Sequence, residues 1–249
     1  MIYDCFTYFG GPNEDDLLRL RLEELRHLDT VHVLVESDHS FTGKYKGFTF
    51  DASKFAEFPI KYIRVTDLPL TGNPRDNETH QRNAIMRGLA YANDDDAVII
   101  SDLDEIPRAS SIAQYKIEFG DCALIMDSML FYLNVLATRQ DLKVSRILSY
   151  RILKYTTPQQ IRASGCPLGM LDAGWHFTCM GGTDAILTKF QNFCHQEEEI
   201  QRFAKREIID RRIADLKSIW KEDKVKPVGL DQIPEYAKNL KHMLYEGTN

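Results

Sequence analysis

The stretch Ala97-Val98-Ile99-Ile100-Ser101-Asp102-Leu103-Asp104-Glu105-Ile106-Pro107 decides how this chain is read. Its apolar start, with two Ile and one Val, is the short run expected of a strand buried on both faces. The run breaks into Asp102, Asp104 and Glu105, and Pro107 stops further regular pairing. Side chains two apart on extended backbone point the same way, so Asp102 and Asp104 can converge on one ligand. Carboxylates held that close repel each other unless a cation sits between them. The expected cation is hard and oxygen-preferring, Mg²⁺ or Mn²⁺, shared with a phosphate. A solvated acidic turn is the plainer reading, and the buried strand directly in front of the pair argues against it.

On either side of this stretch, strand-like and helix-like segments alternate. Residues 2–6, 31–35 and 60–65 read as strands. Leu18, Leu22 and Leu25 mark a helix that opens on Asn13, Asp15 and Asp16. A turn at Gly72-Asn73-Pro74 leads to a helix over 75–92, with Ile85, Met86 and Leu89 inward. This order predicts a parallel sheet covered by helices, with the ligand beyond the carboxyl ends of the strands. Glu36 and the acids at 102–105 fall there. Asp94-Asp95-Asp96 precedes the buried strand and reads as a solvated turn. Beyond Pro107 the expectations are a helix near 110–119, then antiparallel strands around 122–127, 129–136 and 147–153. An irregular stretch at 165–172, a strand at 174–178 and a helix from Thr183 follow. The fold class is therefore α/β, a mixed, mainly parallel sheet flanked by helices. Residues 1–200 form the main domain, and 201–249 form a helical extension packed on it.

The 249 residues are 43% hydrophobic and 27% charged, ordinary for a globular protein with a sizeable core. A net charge of −6 argues against a general nucleic-acid binder. No apolar run approaches the ~18 residues of a membrane span, and the first residues lack a signal-peptide pattern. Five scattered cysteines without a Cys-x-x-Cys suit buried thiols in a reducing compartment, so a cytoplasmic location is expected. Neither Gly-x-Gly-x-x-Gly, a phosphate loop nor Gly-x-Ser-x-Gly occurs, which argues against dinucleotide, phosphate-loop and serine-hydrolase chemistry. Oligomeric state leaves no mark in the sequence.

Several other residues are candidates for the site. Arg82 could fork onto a phosphate or a base, or pair with Glu78 one turn earlier. His176 could complete the coordination of an ion on Asp104, or be a core histidine; His195 is a second candidate. Asp172 could deprotonate an acceptor hydroxyl, with Asp184 and Glu197 competing for that role. Trp175 could stack on a sugar or base, although such aromatics more often sit in the core.

Taken in order, Ile2-Tyr3-Asp4-Cys5-Phe6, Glu36-Ser37 with Thr42-Gly43-Lys44, Gln81-Arg82-Asn83-Ala84-Ile85, Ile99 to Pro107, and Gly174-Trp175-His176-Phe177-Thr178 with Gly181-Gly182 resemble glycosyltransferase family 17. That family includes a β-1,4-mannosyl-glycoprotein β-1,4-N-acetylglucosaminyltransferase. The resemblance implies a GT-A-like fold, a nucleotide-sugar donor (UDP-N-acetylglucosamine in the named member), Mn²⁺ or Mg²⁺, and inversion at the anomeric carbon. It also implies a glycan, glycolipid or glycoprotein acceptor. On this analogy Asp102 and Asp104 form the metal motif, Asp104 the direct ligand, with Glu36 near the donor nucleotide and Arg82 near its diphosphate; His176 is the expected third metal ligand, and Asp102 and Trp175 further donor contacts. Two rival readings remain: a haloacid-dehalogenase-like phosphatase using the Asp-x-Asp pair, and a nucleotide-sugar-binding module without turnover.

Overall fold

A computed structural model describes residues 1–142, 145–166 and 168–247. Strands β1 (Ile2–Tyr8), β2 (Thr30–Ser37), β3 (Ile60–Val65) and β4 (Ala97–Asp102) pair in parallel, in the order β4-β1-β2-β3. Their alternation separates two cores. Phe6, Tyr8 and Leu34 pack with Leu17, Leu18 and Leu22 of helix α1 (Glu14–Glu24). Tyr3, Cys5, Val33 and Val35 pack on the other face with Ala84, Ile85 and Leu89. These last residues follow α2 (Pro74–Asn83), and Ile85 opens the single turn α3 (Ile85–Gly88), which Leu89 caps. Each fully buried Leu, Ile or Val contributes about 1.5–3 kcal/mol relative to exposure. Two faces of such residues explain why the β4 run is apolar throughout.

The acidic stretch joins two sheets. After β4 the chain turns at Leu103-Asp104 and enters β5 (Glu105–Pro107). Next come β6 (Cys122–Leu124), β7 (Met126–Leu130), β8 (Val135–Leu142), β9 (Arg146–Ser149), β10 (Leu168–Met170), β11 (Gly174–Thr178) and β12 (Lys226–Pro227). β9 lies antiparallel between β4 and β6, and β10 runs parallel to β6 at the sheet's edge. The first sheet thus has seven strands and is mixed; β12-β8-β7-β11-β5 form a second, five-stranded sheet. This is a mixed α/β architecture with a parallel half, as expected above, and with a larger antiparallel share. Residues past 200 add a helix at Arg206–Ala214, the short β12 paired to β8, and 3-10 turns whose Ile233, Ala237 and Met243 join the α1 core.

Some elements differ from the sequence reading. The helix expected over 75–92 breaks at Ala84, where helix-type N–H bonds revert to three-residue spacing. The strand expected to 153 stops at Ser149, and Tyr150–Leu153 makes one helical turn whose N–H groups reach Asp94 and Asp96 carbonyls. The helix expected near 110–119 is one turn at Ala109–Ile112 and a 3-10 turn at Ile117–Phe119. Within the stretch expected to be irregular, Leu168–Met170 is a strand, and Pro167 lies outside the described residues. Asp94 and Asp95 are exposed, as a solvated turn requires. Asp96 is buried and accepts from the Asn93 N–H at 2.7 Å. No helix among the described residues is long and apolar enough to cross a membrane.

Candidate active site

A cleft of about 300 Å³ opens at the carboxyl ends of β1, β2 and β4. Thr7, Glu14, Arg82, Asp102 and Asp104 line it, and Met180 with Lys189 and Thr188 of the helix Gly182–Asn192 close its far side. The acidic turn is anchored from beneath. Arg21 of α1 is fully buried; its guanidinium pairs with Asp4 and donates to the carbonyls of Asp102 (3.1 Å) and Glu105 (2.8 Å). Asp4 also bonds His32 at 2.9 Å. One buried network therefore sets the height of the turn against β1.

Residues 103–104 form a turn, and within the cleft that both line, Asp102 and Asp104 take different protein partners. Asp102 accepts from Arg82 Nη2 at 3.1 Å, Arg162 Nη2 at 2.9 Å and Thr7 Oγ1 at 3.3 Å. Glu105 accepts from Arg162, from Ser145 Oγ at 2.5 Å and from the Asp102 N–H at 2.9 Å. Asp104 instead meets Lys189 Nζ at 3.2 Å and His176 Nε2 at 3.7 Å. Lys189 Nζ also donates to Thr178 Oγ1 at 3.1 Å.

These contacts fix the charge states. Burial would raise the Asp102 pKa, but Arg162 and then Arg82 outweigh it and hold the group at about 2. Burial likewise opposes ionisation of Asp104, and Lys189 followed by His176 pulls it well below the usual carboxylate range. Reciprocally, Asp104 overcomes burial to raise the pKa values of both Lys189 and His176. Glu14 behaves in the opposite sense. Burial raises its carboxyl pKa, only partly offset by N–H bonds from Gly10 and Phe9 to Oε2, both 2.9 Å. Its Oε1 has no hydrogen-bond donor among the described residues.

Of the residues singled out from the sequence, Asp102, Asp104 and Arg82 meet in the cleft. Arg82 fulfils both of its readings, pairing with Glu78 at 2.9 Å as well as with Asp102. His176 stands behind Asp104, and His195 lines the opposite rim. The others are drawn elsewhere. Glu36 is fully buried and engaged by Lys46, Thr49, Phe50 N–H and Tyr62, so it braces the loop after β2. Trp175 is a core residue: its Nε1 donates to the Gln232 carbonyl at 2.8 Å, and Arg108 covers its ring at 4.0 Å. Asp172 is exposed outside the cleft and pairs with Arg108 at 2.9 Å. Asp184 pairs with Arg206, and Glu197 with Arg75 and, at 3.5 Å, with His195 of the cleft; neither acid itself lines it. Glu14, Arg162 and Lys189 went unnoticed in the sequence. Only Glu14 carried a signal, as the first acid after the Gly10-Gly11-Pro12 turn.

The expected metal set Asp102, Asp104 and His176 does not fit a divalent ion as arranged. Both oxygens of Asp102 face guanidinium groups, and an ammonium already lies against Asp104. No three His, Cys, Asp or Glu side chains among the described residues gather in metal-holding geometry.

A profile of glycosyltransferase family 17 matches residues 2–222 of the chain. No curated protein matches it. Among solved structures it is similar to galactosyltransferase LgtC in complex with donor and acceptor sugar analogs, at 12% identity and TM-score 0.37, over 64% of this chain and 61% of that one. It thus spans about three fifths of that LgtC chain. It is also similar to S. aureus TarS 1-349, at 12% identity and TM-score 0.40, over 86% of this chain and 72% of that one. A putative nucleotide-diphospho-sugar transferase from Desulfovibrio desulfuricans G20 matches at 8% identity and TM-score 0.38, over 86% of this chain and 95% of that one.

Proposed function

The chain belongs to glycosyltransferase family 17, and on that premise we propose that its cleft binds a nucleotide-sugar donor and transfers the sugar to an acceptor hydroxyl. The observation that carries the reading is the pairing of Arg82 and Lys189 with Asp102 and Asp104 at the ends of the parallel strands. A guanidinium and an ammonium fixed at one mouth suit the diphosphate of a donor, whose negative charge grows as it leaves. UDP-N-acetylglucosamine is the donor favoured by the family resemblance, and the acceptor is a glycan, glycolipid or glycoprotein. Five free cysteines suit a reducing compartment such as the cytoplasm.

The transfer inverts the anomeric centre. Glu14 Oε1 accepts the acceptor's hydroxyl proton while that oxygen bonds to the anomeric carbon. The bond from the same carbon to the diphosphate oxygen breaks on the opposite face, and its electron pair stays with the nucleotide. Glu14 replaces Asp172 in this role because it lines the cleft, whereas Asp172 lies outside it and pairs with Arg108. Asp102, held by two arginines, is a poor nucleophile, which disfavours the phosphatase chemistry.

The test is a donor-consumption assay with a panel of nucleotide sugars and pooled glycan acceptors. Acceptor-dependent release of UDP from UDP-N-acetylglucosamine is expected. Nucleotide binding without consumption in any pool would leave only a binding module, and hydrolysis of simple phosphate esters would replace transfer by phosphatase activity.

A further inference from the structure

Asp104 already has a cation, and it is a side chain. Lys189 Nζ lies 3.2 Å from Asp104 and 3.1 Å from Thr178 Oγ1, on the wall of the cleft. An ammonium has three N–H donors, so one is unspent on these two partners. Across the cleft, Arg82 is 4% exposed, and its Nε has no partner among the described residues. Around the cleft, Glu78, Asp102, Asp104 and Glu105 are ion-paired to Arg82, Arg162 and Lys189, and Glu14 is a further acid on the same wall. His176 adds a fourth positive charge when protonated. A divalent ion at Asp104 would bring two charges against an ammonium already seated there. A diphosphate would instead offer oxygen acceptors to the N–H of Lys189 that its two partners leave unspent.

We propose that Lys189, held by Asp104 and Thr178, is the cation that the donor's diphosphate meets, so that this chain binds its donor without a divalent ion. Asp104 then acts as a positioning residue for Lys189 and not as a metal ligand. The inference rests on the nucleotide-sugar reading above.

Calorimetric titration of UDP into the wild-type chain, in EDTA and again in Mn²⁺, tests it. Affinities within about twofold of each other are expected. Loss of a charge-assisted bond in Lys189→Met should weaken UDP by about ten- to a hundredfold in both buffers. Lys189→Arg, which keeps the charge, should retain most of the affinity, and circular dichroism reports whether each variant is folded. A gain of tenfold or more from Mn²⁺, or unchanged UDP affinity in a folded Lys189→Met, overturns the proposal. Absence of UDP binding in either buffer would instead remove the donor reading, and the inference with it.

Discussion

At the scale of single residues, the cleft separates acids that hold their charge from one that can trade a proton. Arginines pin Asp102 and a lysine pins Asp104, whereas at Glu14 burial outweighs the N–H bonds that oppose it. A general base must be ionised, so activity should fall as pH drops through the Glu14 pKa, which lies above the ordinary glutamate value of ~4.3. Glu14→Gln should lower kcat by about 10²–10⁴-fold with UDP affinity nearly unchanged, and should abolish that acid limb; pH–rate profiles of both proteins check this. Asp102, Asp104 and Arg82 were legible in the sequence because a strand end and a helix face constrain where they point. Lys189 was not, since a lysine on an exposed-looking helix is common and only the packing of that helix brings it to Asp104.

At the scale of elements, β11 is the part whose position most affects the turn. Gly174 opens it at φ +148, and an added Cβ would lie 2.1 Å from the Ile106 carbonyl of β5. Gly174→Ala must therefore push the two strands apart, and with them His176 and the Phe177 N–H that donates to the Asp104 carbonyl at 2.7 Å. A cost of about 2–3 kcal/mol is expected, or a Tm lower by roughly 5–10 °C in scanning calorimetry. The parallel strands were readable because each is a continuous apolar run. The short strands β5 and β10 were not, because three residues carry too little periodicity and owe their pairing to neighbours distant in sequence.

At the scale of the whole molecule, the buried Asp4–Arg21–His32 cluster ties β1, β2 and α1 to the turn between the two sheets. Against burial, which would raise it, Arg21 and then His32 hold the Asp4 pKa well below its ordinary value. The unfolded chain therefore binds the extra proton first, and this stabilisation is present at neutral pH and lost as pH falls below about 4. Arg21→Met strands a buried carboxylate and should cost about 3–5 kcal/mol at pH 7. Its urea midpoint should also depend less on pH between 5 and 3 than the wild type's, because the depressed Asp4 pKa is gone. By itself the sequence determined the parallel α/β half, the acidic turn behind β4 and the family, since apolar periodicity and short motifs are local properties of a chain. Only the tertiary structure decided that Asp102 and Asp104 take different partners in the cleft, that Trp175, Glu36 and Asp172 lie outside it, and that Lys189 and Glu14 lie inside it. Charge pairing and burial depend on which surfaces meet, and residues 14, 104 and 189 meet only when α1, the turn and a helix from far along the chain pack around one cleft.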